Sequence, residues 1–86
     1  MRRADRVDVV VDNVSVTISR EDHADGQRWR CRIRHLTDTN LPEIRTEEEE
    51  PWVAVFDALR IWERVGYTSR EVAKIASDRA LIALAV

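Results

Sequence analysis

This chain of 86 residues has one cysteine, two glycines, two prolines and two histidines, and each scarcity closes a class of explanation. With Cys31 alone, no intramolecular disulfide forms. Neither His23 nor His35 has a second histidine or a cysteine at ligand spacing, so no metal or other cofactor is expected. Glu21, His23 and the Asp25-Gly26 pair match the opening of a calcium loop, but Arg32 stands where the bidentate carboxylate belongs. No run approaches the length of a membrane span. The basic start (Arg2, Arg3, Arg6) is followed by alternating Asp and Val rather than an apolar stretch, so no signal peptide is expected. A net charge of −2 removes any global attraction to nucleic acid or membrane. No nucleophile has a positioned base and no acid–base pair is evident, so the chain is not expected to be an enzyme.

What is present fits one small domain over 1–86. A domain of this size buries only about 60–65% of its unfolded surface, so a dimer contact or a partner would add usefully to its stability. Lys74 is the single lysine; the other basic residues are all arginine. Arginine suits bidentate contacts with carboxylate or phosphate. A reduced Cys31 suits the cytoplasm.

Residues 28–35 read Arg-Trp-Arg-Cys-Arg-Ile-Arg-His. A strand sends successive side chains to opposite faces. Trp29, Cys31, Ile33 and His35 therefore share a core face, while Arg28, Arg30, Arg32 and Arg34 share the other. Upstream, Val7, Val9 and Val11 alternate on odd positions; Val14, Val16 and Ile18 alternate on even ones. A two-residue turn at Asp12-Asn13 reconciles the parities by pairing Val11 with Val14, Val9 with Val16 and Val7 with Ile18; one long strand with a bulge near Asp12 would restore a single apolar face as well. Glu21–Gln27 reads as a polar loop. A meander then sets Trp29, Cys31 and Ile33 beside Ile18, Val16 and Val14, and the Arg row beside Ser15, Thr17 and Ser19, which carry no charge to neutralise it. Glu43–Arg45 leaves room for a short fourth strand.

Glu47, Glu48, Glu49 and Glu50 precede Pro51, and acidic residues with an early proline suit a helix entrance; the same run could instead fold over the Arg row and quench it, or form an acidic docking patch. The helix should span 51–65, with Gly66 closing it. Its apolar surface, from Trp52, Val55, Phe56, Leu59 and Trp62 round to Ala54, Ala58, Ile61 and Val65, exceeds the stripe that one sheet covers. The excess asks for a second helix or a second chain. Thr68 to Glu71 forms a capping box for another helix. Val72, Ile75 and Ala76 should face in, with Arg70, Lys74 and Asp78 facing out. Residues 80–86 are apolar all round, with Leu81 and Leu84 projecting from the formerly polar side, and such a terminus should be buried either in a homodimer contact or under the sheet.

Gly66–Ala73 resembles the entry of a helix-turn-helix, but the following segment, 79–86, lacks base-reading side chains. The order hairpin, strand, acidic entry and long helix resembles the partial RNase-H-like layout of HicB-type antitoxins and the layout of several small phage inhibitors. Leu41-Pro42 is the one trace of the Pro-rich strand end typical of those antitoxins. The resemblance is one of layout and implies no family membership.

These observations predict an α+β fold: a three-stranded antiparallel meander, extendable by a short fourth strand, with two C-terminal helices on one face. The expected core is Val9, Val11, Val14, Val16, Ile18, Trp29, Ile33, Val55, Phe56, Leu59, Trp62, Val72 and Ile75. The expected function is a non-enzymatic inhibitor-like binding protein for a protein or ribonucleoprotein partner. It would act through the Arg face, Glu47–Glu50 and the apolar C-terminal segment. The alternatives are a nucleic-acid-binding regulator using the Arg face and a structural subunit.

Overall fold

The computed structural model describes residues 5–38, 40–65 and 69–85. It contains strands β1 (Arg6–Val11), β2 (Val14–His23), β3 (Gly26–His35) and β4 (Ile44–Glu48), then helices α1 (Pro51–Arg64) and α2 (Arg70–Ala85). The strands form one antiparallel sheet in the order β1-β2-β3-β4. Both helices lie on one face, α2 over β1 and β2, α1 over β3 and β4. Among the described residues, no helix is long and apolar enough to cross a membrane.

The first hairpin has the expected register, with Val11 opposite Val14, Val9 opposite Val16 and Val7 opposite Ile18. The positive φ that its turn requires falls on Asp12 (51°), a residue type that tolerates the left-handed region. The second hairpin differs from expectation. Residues 21–23 and 26–27 are strand, and the turn shrinks to Ala24-Asp25, with Gly26 at φ 132°. Lengthening the hairpin slides its register by two residues. Cys31 lies opposite Ile18, Ile33 opposite Val16 and His35 opposite Val14, while Trp29 lies opposite Arg20. The fourth strand is longer than expected and incorporates Glu47 and Glu48.

The core is built from Val14, Val16, Ile18, Trp29, Cys31, Ile33 and Ile44 of the sheet and from the inner arcs of both helices. On α1 that arc is Pro51, Ala54, Val55, Ala58 and Trp62. Small residues let the helix backbone approach the strands, and Trp62 fills the remaining depth, its ring stacked 6.3 Å from that of His35. The Thr46 hydroxyl donates to the Ala54 carbonyl and ties β4 to α1. On α2 the inner arc is Ala73, Ala76, Ser77, Ala80 and Leu84.

Two residues expected in the core are therefore outside it: Phe56 is 55% exposed and Ile75 43% exposed. Val9, Val11, Leu59 and Val72 are half-buried and pack against the core edge. Helix α2 runs unbroken through Ser77, so it contains no helix-turn-helix corner. The closing residue Gly66 and the cap Thr68 lie outside the described residues.

Candidate functional site

Strand alternation does place Arg28, Arg30, Arg32 and Arg34 on the sheet face away from the helices, as expected. The face is not left uncompensated. Because β2 extends to His23, Glu21 lies directly opposite Arg28 and diagonal to Arg30. Because β4 extends through the Glu run, Glu47 lies opposite Arg30 from the other side. The Arg30 guanidinium thus bridges two strands, 2.9 Å from the Glu21 carboxylate and 3.4 Å from that of Glu47. Arg32 is 3.6 Å from Glu43, which also holds Arg45 at 2.7 Å. Arg28 reaches Asp25 at 3.6 Å. At the β1 edge, Arg6 and the Thr17 hydroxyl both donate to Asp8, and those bonds hold its carboxyl below the usual range. Among the described residues, Arg34 is the one member of the row without a carboxylate partner. It borders a recess of about 410 Å³ lined by His35, Leu36, Leu41, Pro42 and Glu43. The face is uncovered by the helices, as expected, and Glu47 of the acidic run does quench Arg30; the expectation that β2 offers no acidic partner is corrected by Glu21, and the face is a cross-strand ion-pair lattice with one free end.

Glu21, His23 and Glu47 bring three potential ligand atoms within 4.8 Å of one another. The cation for this cluster is already supplied, since Arg30 is bonded to both carboxylates. Cys31 is fully buried, and burial pushes its thiol up to about 12, far from a reactive thiolate.

The remaining expected binding residues separate. Glu47 belongs to the lattice just described and Glu48 is half-buried on the helix side of β4, opposite Trp29. Glu49 and Glu50 are exposed ahead of α1, and Glu50 takes the N-cap position without a side-chain cap bond. Leu84 is 2% exposed and belongs to the core, and Leu81 packs half-buried against it. The C-terminal leucines therefore stabilise the fold and do not form an open docking surface.

The exposed apolar surface lies elsewhere, on the outer side of the helical layer. Trp52 (52% exposed) and Phe56 stand one turn apart on α1 and meet edge to face, ring centroids 5.9 Å apart at 77°. Phe56 continues into a groove of about 420 Å³ between the helices, floored by Leu59 and Trp62. Arg70, Glu71, Lys74 and Asp78 of α2 form its other wall, and an Arg70–Glu63 pair at 3.0 Å spans it. Ile75 and Ile82 are exposed further out on α2. The breadth of the α1 apolar surface was the sequence signal for this patch. Which residues it would contain was not evident, because Ala54 and Ala58, with Trp62, face the sheet while Trp52 and Phe56 do not.

Comparison with protein-family models, curated proteins and solved structures returned no match.

Proposed function

We propose that this chain is a small non-enzymatic binding protein that docks on a protein partner in the manner of an inhibitor or antagonist. Phage anti-defence proteins such as anti-CRISPRs, antitoxins and immunity-type proteins are the corresponding classes. The supporting observation is the half-exposed Trp52–Phe56 pair at the mouth of the inter-helix groove. Large aromatics beside a concave apolar floor, rimmed by charges of both signs, have the composition of an interface hot spot. Neither ring is needed to fill the core. A partner that inserts an apolar side chain over Leu59 and pairs with the Lys74 and Asp78 rim would bury both. The reduced, buried Cys31 accords with a cytoplasmic setting.

A second reading, nucleic-acid binding through the sheet face, rests on Arg34, whose charge is not compensated within the described residues. Compensation of Arg28, Arg30 and Arg32 weakens it, because phosphate binding gains from counterion release at unpaired cations.

Capture from the source-cell lysate, with and without nuclease, distinguishes the two. Wild type should retain a protein at defined stoichiometry after nuclease, and the Trp52→Ala/Phe56→Ala variant should lose it while Arg34→Glu keeps it. Recovery of nucleic acid alone, lost on Arg34→Glu, would overturn the protein-docking reading.

A further inference from the structure

The sheet has two edges of different character. β4 presents Arg45, Glu47 and Glu48, charges of the kind that discourage edge pairing. β1 presents three consecutive valines, Val9 to Val11, after one internally paired couple, Arg6 and Asp8. Val10 is 59% exposed. Among the described residues no strand pairs with the outer side of β1.

The hydrogen-bond parity of this edge follows from its partner. Arg20 N–H donates to the Asp5 carbonyl at 2.8 Å, and the register places Val7, Val9 and Val11 in step with that pair. Odd residues therefore bond inward to β2, and the N–H and C=O groups of Arg6, Asp8 and Val10 point outward. A strand edge of this kind is complemented by another strand.

We propose that the β1 edge is closed by the same edge of a second copy of this chain, antiparallel about a two-fold axis normal to the sheet, with Val9 opposite Val9 of the second copy. The outward groups admit only registers that set even residues against even residues. A register centred on Asp8 opposes Asp8 to itself; one centred on Val10 opposes Asp8 to Asp12. A register centred on Val7 sets Val9 against Asp5. The register centred on Val9 pairs Val7 with Val11 twice on the helix side and places Arg6 opposite Asp12 on the other.

The helical layer fits this arrangement. Helix α2 packs on β1 and β2 about equally, and neighbouring strands lie about 4.8 Å apart. The axis of α2 then lies about 5 Å from the two-fold, and its symmetry mate about 10 Å away, the spacing of packed helices. Arg70, Lys74 and Asp78 face the groove toward α1. At about 100° per residue the opposite flank, turned to the two-fold, holds Val72, Arg79 and Ala83, with Ala76 at its inner margin. Ala76 and Ala83 there permit close approach, with Arg79 directed to the solvent side of that flank. A six-residue strand pair alone buries less than the roughly 1,200 Å² of a stable interface, so the α2 flank completes it. The groove and the Trp52–Phe56 pair lie on the other side of α2 and stay open, so this inference stands apart from the docking function.

The test combines mass and cross-linking. Sedimentation equilibrium should give wild type twice the 10.0 kDa chain mass. Val9 and its mate form a non-hydrogen-bonded pair with Cα atoms about 4.5 Å apart, within disulfide reach. Val9→Cys should therefore cross-link under mild oxidation. Val10→Cys should not, because its mate is displaced along the strand to more than about 7 Å. Val10→Pro, which removes an outward N–H and no bond to β2, should reduce the mass to that of one chain. A monomeric wild type, equal cross-linking at positions 9 and 10, or a folded Val10→Pro dimer would overturn the proposal. The cysteine pair decides the matter even if Val10→Pro fails to fold.

Discussion

Trp52 and Phe56 meet edge to face at 5.9 Å, and both remain more than half exposed. Six residues beyond Phe56 on α1, Trp62 is turned to the core and is 1% exposed. The same helix thus uses one tryptophan to close the core and displays another. Trp62→Ala should cost about 3–5 kcal/mol, the range for emptying a buried aromatic site. Trp52→Ala should cost less than about 1 kcal/mol, the scale of an exposed aromatic pair. Chemical denaturation of the two variants checks the contrast.

Ser77 is fully buried on the inner arc of α2, and its hydroxyl finds no hydrogen-bond partner. Its neighbours on that arc are alanines and Leu84. Ser77→Ala removes an unsatisfied polar group without leaving a large void, so it should raise stability by about 1 kcal/mol. A lower melting temperature for the variant would show that the hydroxyl is satisfied.

Arg30 bonds to carboxylates on both flanking strands, whereas Arg34 bonds to none among the described residues. Arg30→Ala leaves Glu21 and Glu47 facing each other, so it should cost about 1 kcal/mol at low salt and less at high salt. Arg34→Ala should change stability by less than about 0.5 kcal/mol. Thermal melts of both variants across a salt series separate the two positions.

The Asp8 carboxyl is held below its ordinary range by bonds from Arg6 and Thr17. Its folded pKa lies below its unfolded value near about 4, so its stabilising contribution is fully present above that value. The contribution is lost as pH falls through the lowered folded pKa. Wild type and Asp8→Asn should therefore differ most at neutral pH and converge in acid. Melting temperatures from neutral pH to about pH 2 test the sign.

Cys31 is buried in the core on the helix side of β3, and burial pushes its thiol up to about 12. Iodoacetamide at pH near the ordinary thiol value of about 8.5 should leave the folded protein unmodified and alkylate it once denatured. Mass spectrometry before and after denaturant reads the difference.

The sheet was legible where one face is apolar. The parity change between Val11 and Val14 demanded a turn or a bulge, of which the structure has the turn, and the Arg strand announced its two faces. Legibility failed where both faces are polar. Ser19 to His23 runs past the end of the core, so no alternation marks it as strand, and losing those residues shifted the second hairpin by two positions. That shift hid Glu21 from the Arg row. The helices misled differently. Hydrophobic size pointed Phe56 and Ile75 inward, but close approach of a helix to a sheet selects small residues, and Ala54, Ala58, Ala73, Ala76 and Ala80 took those places. The same preference displaced the aromatic pair onto the surface, where the candidate site now lies.

The central claim is that the helical groove, not the arginine face, carries docking. Titration of the captured protein partner with wild type and with Trp52→Ala/Phe56→Ala, at low and physiological salt, tests it most directly. The account predicts at least about a 30-fold loss of affinity for the variant, the scale of one lost hot spot, with little salt dependence in wild type. Unchanged affinity on removing both rings would contradict it.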